Sequence, residues 1–121
     1  MTNQHLDSIT ALQSALRQFA DERDWNQFHS PKNLAMALVA EAGELVEQFQ
    51  WLTQDESRAL PDSKLASVAA EMADVLIYLA RLADILDVDL LRAATDKVEE
   101  NRKKYPAESA RGRADKYTEY E

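Results

Sequence analysis

Two segments constrain what this chain can fold into: LAMALVAEAGELV, Leu34 to Val46, and LASVAAEMADVLIYLA, Leu65 to Ala80. Both are so continuously apolar that a single amphipathic stripe cannot describe them, and both need burial on more than one side. Yet each carries two acids three residues apart, Glu41 with Glu44 and Glu71 with Asp74, and neither contains a basic residue. Any fold must therefore bury two greasy segments and account for four carboxylates within them.

Two glycines and three prolines leave little turn material for a many-stranded sheet, while Ala, Leu, Glu, Lys and Gln favour helix. The expected class is all-α, a four-helix bundle. The first helix carries Leu6, Ile9, Leu12, Leu16 and Phe19 at steps of three and four and runs to about Arg23. Ser30-Pro31 opens the second, which continues through Leu45 to Phe49 and Leu52. Thr53 to Glu56 reads as a capping box on a short turn ending near Pro61. Asp62 or Ser63 caps the third helix, to about Leu86, and Asp87 or Asp89 the fourth, to about Lys104, where Pro106 stops it. This gives one domain over residues 1–105 and a polar tail over 106–121, either loose or a strap over a neighbour. Burial of the second and third helices can come from the other helices or from another copy, and a homo-oligomer is expected.

The net charge of −8 disfavours binding to a nucleic-acid backbone. Residues 1–91 hold 6 basic and 15 acidic residues, a net of −9, and residues 92–121 hold 8 and 7, a net of +1. An acidic body thus precedes a mildly basic end. Met1 to Thr10 has neither a basic n-region nor an apolar h-region, no run approaches the roughly 20 apolar residues of a membrane span, and cysteine is absent. The expected location is cytoplasmic, with no membrane partner.

Residues i and i+3 share a helix surface, so Glu41 points with Glu44 and Glu71 with Asp74. If the two helices pack antiparallel, the pairs meet at mid-bundle. Four partly desolvated carboxylates at close range repel and protonate unless a cation neutralises them. Oxygen-only ligands point to Mg²⁺ or Mn²⁺. The blander alternative, acids paired with Lys or Arg or reaching water, is weakened by the lack of a local basic residue. A di-iron bundle needs Glu-x-x-His motifs, and both histidines, His5 and His29, lie outside these helices. Glu47 continues the spacing but turns towards Gln48 and Gln50.

With these acids, RDWNQFHSPKNLAMALVAEAGELVEQFQW, AEMADVLIYL and KVEENRKKYP make a combination that resembles the all-α nucleoside triphosphate pyrophosphohydrolases of the MazG-like superfamily, most closely their dCTP pyrophosphatase branch. The resemblance covers roughly residues 15–117. The superfamily signature is Glu-Glu-x-x-Glu, then Glu-x-x-Asp; Ala40 replaces the first Glu, a departure shared with the dCTP branch. The resemblance implies that Glu41, Glu44, Glu71 and Asp74 hold Mg²⁺, that Trp25, Trp51 and Tyr78 form an aromatic base pocket, and that Lys97, Asn101, Lys104 and Tyr105 approach the phosphates; His29, in a connection, is a further candidate for substrate binding from its position alone. The resemblance also implies a dimer or tetramer with a site completed by a second subunit. One departure touches specificity: dCTP-selective relatives carry a histidine where this chain has Leu16. Independently of the family, a Trp or Tyr face can stack on a base, and the basic residues at 102–104 can equally complement a helix C-terminus.

The function expected from the resemblance is Mg²⁺-dependent hydrolysis of a deoxynucleoside triphosphate, dCTP or a modified dCTP, to monophosphate and pyrophosphate. The alternatives are a deoxyuridine triphosphatase and a non-catalytic nucleotide-binding helical oligomer.

Overall fold

A computed structural model describes residues 5–120; the outer ends of the expected domain and tail, residues 1–4 and 121, lie outside the described residues. Among the described residues every regular element is helical, as composition implies: α1 (Ile9–Glu22), α2 (Pro31–Glu47), α3 (Gln54–Ser57), α4 (Asp62–Ile85), α5 (Leu90–Lys104) and α6 (Ala107–Ala110), with short 3₁₀ turns at Asn26–Phe28 and Tyr117–Glu119. Among the described residues no helix is long and apolar enough to cross a membrane. The chain divides into two compact units, Met1–Val88 and Asp89–Glu121.

In the first unit, α2 and α4 pack along each other and α1 packs on α4. Direction follows from the cross-links. Gln13 donates to the Ala80 carbonyl at 3.0 Å and Arg17 pairs with Asp84 at 2.8 Å, so α1 and α4 run the same way. His29, just before α2, meets Arg81, whereas Glu41 and Glu44 further along meet Glu71 and Asp74, so α2 and α4 run antiparallel. Ala20 of α1 and Ala80 and Ala83 of α4 are buried; residues this small allow close helix approach. Leu34 and Val68 complete the buried apolar set among the described residues.

Local chemistry sets the helix ends. Ser8 accepts from the Ala11 N–H and Ser30 from the Asn33 N–H, with Pro31 in the first turn of α2. Both α1 and α4 end in Schellman motifs: Trp25 N–H bonds to the Ala20 carbonyl, and Val88 N–H to that of Ala83. The left-handed position falls on Asp24 (φ 54°) and Asp87 (φ 55°), and Asp tolerates this region better than most residues. The first of these motifs turns Trp25 back over α1, where its ring meets Phe19.

Several boundaries differ from expectation. The second helix stops at Glu47, and the backbone over Gln48–Leu52 closes mostly through tighter three-residue bonds. The extended Thr53 then caps α3 in the expected reciprocal box with Glu56. Neither Asp62 nor Ser63 caps α4; the helix begins at Asp62, with Pro61 at the cap and the Asp62 carboxylate in the positive first turn. Asp87 ends α4 rather than capping α5, which is capped by Asp89 through the Arg92 N–H.

In the second unit, α5 ends on Arg102, Lys103 and Lys104, cations at the negative end of the helix. The segment after Pro106 carries structure of its own. It forms α6 and a 3₁₀ turn, brings the Tyr117 and Tyr120 rings edge-on to Tyr105 at 6.0 and 5.8 Å, and ties Arg113 to Asp115.

Candidate metal centre and neighbouring pocket

The antiparallel pairing of α2 and α4 brings the two acid pairs face to face. Glu41, Glu44, Glu71 and Asp74 offer carboxylate oxygens that all lie within 4.8 Å of one another. Glu44 is exposed and the other three are half-buried. Oε2 of Glu41 and Oε2 of Glu71 are buried without a hydrogen-bond partner, and among the described residues no Lys or Arg forms an ion pair with any of the four. Crowding shows in their protonation. A shared hydrogen bond with Glu44, then burial, then the charges of Glu44, Asp74 and Glu71 push the Glu41 carboxyl up to about 7. Burial, followed by the bond and charge of Glu44 and the charges of Asp74 and Glu47, raises that of Glu71. Two orphaned oxygens in a cluster made only of carboxylates fit a hard divalent cation.

One turn further along α4 is a cavity of about 250 Å³ lined by Leu16, Phe19, Trp25, His29, Ile77, Tyr78 and Arg81. Three of the residues expected around a base, Trp25, His29 and Tyr78, meet there. Phe19 stacks edge-on against Trp25 at 5.6 Å, and Trp25 against His29 at 6.4 Å. Trp51 does not join them: it lies beyond the end of α2 and is 86% exposed.

Of the residues expected at the phosphates, Lys97 and Lys104 both bind Glu100, at 3.2 and 3.0 Å, Asn101 is exposed on the same helix, and Tyr105 sits among the tyrosines of the second unit. Arg81, Asn26, Phe19 and Ile77 are site-lining or site-bracing residues that sequence reasoning passed over. The available signal was Arg81 itself, a lone cation in the run VLIYLARLADIL.

Comparison with known proteins agrees with this architecture. The family profile described as the MazG-like family matches residues 36–120. dCTP pyrophosphatase 1 of Mus musculus and that of Homo sapiens are each 49% identical over 104 residues, covering 84% of this chain and 61% of theirs. The chain thus spans about three fifths of the length of these curated relatives. A crystal structure of a pyrophosphatase from Archaeoglobus fulgidus DSM 4304 is 38% identical, with a TM-score of 0.77 over 88% of this chain and 99% of that one. A profile match over most of the chain, joined to helices that place the two acid pairs together, leaves one assignment: the chain belongs to the MazG-like family.

Proposed function

We propose that this protein is a Mg²⁺-dependent nucleotide pyrophosphohydrolase that cleaves a deoxynucleoside triphosphate, dCTP or a modified dCTP, to the monophosphate and pyrophosphate. The observation that carries this reading is the convergence of Glu41, Glu44, Glu71 and Asp74 with two buried oxygens left unpartnered. The similarity to mammalian dCTP pyrophosphatase 1 supports the substrate class.

Glu41, Glu44, Glu71 and Asp74 would hold Mg²⁺, or Mn²⁺, between α2 and α4. The bound cation supplies Lewis-acid polarisation of the phosphate and neutralises charge on the leaving pyrophosphate. Glu44, the exposed member of the four, takes the proton from the attacking water. The water oxygen bonds to the α-phosphorus, the bond to the α,β-bridging oxygen breaks, and pyrophosphate departs with the electron pair. Trp25, Tyr78 and His29 enclose the base in the cavity they share. Lys97, Asn101, Lys104 and Tyr105 are assigned to the triphosphate by the family motif they match.

A homo-oligomer, a tetramer in preference to a dimer, belongs to the same proposal. Its support is apolar surface: Met36, Val39 and Val46 on α2 and Leu65, Met72 and Leu76 on α4 are exposed, Val39 by 70%. In such an assembly Trp51 of a neighbouring copy completes the base pocket. Turnover would remove a modified or surplus deoxynucleotide from the cytoplasmic pool.

Phosphorus NMR with Mg²⁺ and, in turn, dCTP, 5-methyl-dCTP, dUTP, dTTP, dATP and dGTP tests the reaction, with Glu44→Gln as control. Monophosphate with pyrophosphate, lost in the control, is the expected result and ranks the bases. Diphosphate with orthophosphate would replace α-phosphate attack with γ-phosphate attack, and no turnover of any nucleotide would leave a binding module.

A further inference from the structure

Arg81 is 4% exposed, a rare place for a guanidinium unless its donors are met. They are met by three groups of the first unit. Its Nε donates to His29 Nδ1 at 3.2 Å, its Nη2 donates to Asn26 Oδ1 at 2.6 Å, and Nη1 lies 3.6 Å from the Asp84 carboxylate. Asn26 is held at its other end, where Nδ2 donates to Asp21 at 2.6 Å, and Asp84 also takes Arg17 at 2.8 Å. The guanidinium is thus clamped between α4 and the turn that carries His29.

This network determines which hydrogen the imidazole carries. An arginine Nε always bears a proton, so the Nδ1 that accepts from it must be bare, and a neutral ring then carries its hydrogen on Nε2. Burial and the positive charge of Arg81 both hold the His29 pKa below its ordinary value, so the ring resists a second proton. His29 lines the cavity, and among the described residues the one side-chain hydrogen bond it makes is the one it accepts from Arg81 at Nδ1. Leu16, Phe19 and Ile77 of the same lining offer no hydrogen bond, and besides His29 and Arg81 only the Trp25 indole and the Tyr78 hydroxyl can.

We infer that Arg81 is a positioning residue that locks His29 as a neutral Nε2–H donor, so that the cavity recognises a base through a hydrogen-bond acceptor on its ring, a carbonyl oxygen or a bare ring nitrogen. An amine edge presented to the same point meets a donor and is rejected. The inference rests on the nucleotide reading of the cavity and adds which edge of a base can be held at His29.

The test uses the full-length protein in two measurements. Nitrogen-15 NMR of the histidine side chains at neutral pH reads the tautomer directly, in the wild type, R81K and R81M, with an H29Q spectrum to assign the signal. The expected wild-type His29 is Nε2–H alone; R81M turns it into a mixture of tautomers, and R81K, which keeps a donor, retains more of the Nε2–H form. In parallel, KM and kcat are measured for dCTP and for a base-less deoxyribose triphosphate. For dCTP, R81M is expected to raise KM by about three- to tenfold with kcat nearly unchanged, the scale of one neutral hydrogen bond, and to leave the base-less compound unaffected.

An Nδ1–H or doubly protonated His29 in the wild type overturns the inference, and this reading stands even where R81M folds poorly. Equal losses on both triphosphates would make Arg81 merely structural and would also overturn it. If no nucleotide is turned over while R81M still scrambles the tautomer, the pyrophosphohydrolase reading fails and the locked donor stands.

Discussion

Glu41 on α2 and Glu71 on α4 offer each other carboxylate oxygens within 4.8 Å, and each keeps its Oε2 buried with no hydrogen-bond partner. Without a cation this arrangement favours a retained proton. The Glu41 pKa of about 7 lies above the ordinary carboxyl value of 4.5, and Glu71 is shifted in the same direction. The folded state therefore binds protons that the unfolded state has already lost. This contribution is fully present below the ordinary carboxyl pKa and disappears as pH rises through about 7. Metal-free protein is expected to show a Tm that falls between about pH 5 and pH 8, with Mg²⁺ raising Tm more at the higher pH, where the ligands are deprotonated. Thermal melts at both pH values check this, and a Mg²⁺ effect that is equal at the two would contradict it.

Replacing one of these acids by its neutral isostere separates repulsion from function. Glu71→Gln removes a charge from the crowded cluster and retains its shape. The metal-free variant is expected to melt higher than wild type near pH 8, to lose its Mg²⁺ response, and to lose activity by about a hundredfold or more. A variant that loses activity with unchanged Mg²⁺ stabilisation would remove Glu71 from the metal ligands.

The acid cluster is legible in the sequence because its logic is local: i, i+3 carboxylates in segments without a basic residue face one way on any helix, and antiparallel packing of the two helices is enough to join them. The base-side cavity is only half legible. Trp25 and Tyr78 stand out as aromatics, but what braces the cavity is the Arg81 network, which joins residues 52 and 55 positions apart; no periodicity encodes such a contact. Helix ends fail for a related reason. Asp87 is a good cap by type, but a Schellman closure on Ala83 claims it in the left-handed region, and a choice between ending one helix and starting the next depends on tertiary packing.

Leu34 is 2% exposed and is the one large side chain wholly enclosed among the described residues. Truncation to Ala removes buried apolar volume and leaves a cavity that the surrounding helices refill only in part. Leu34→Ala is expected to cost about 2–5 kcal/mol in urea unfolding. A shift below about 1 kcal/mol would mean that the site collapses freely.

Leu65, Ala69, Met72 and Leu76 follow the three-and-four spacing of one helix face, and all four are exposed in the single chain. Such a stripe on α4, opposite the acids, suits the proposed self-association, since a second copy would offer the matching face by symmetry. Met72→Glu puts a charge at its centre. Light scattering is expected to find the wild type as a homo-oligomer and the variant as a smaller species with its helical circular dichroism intact. If the proposed assembly supplies Trp51 of a neighbouring copy to the pocket, the dispersed species should also bind nucleotide less tightly. Tryptophan fluorescence reports this step: Trp51, 86% exposed in the single chain, should emit further to the red in Met72→Glu than in the assembled wild type. Equal masses for the two proteins, or a monomeric wild type, would assign the stripe to another partner and leave the pocket to Trp25 and Tyr78 alone.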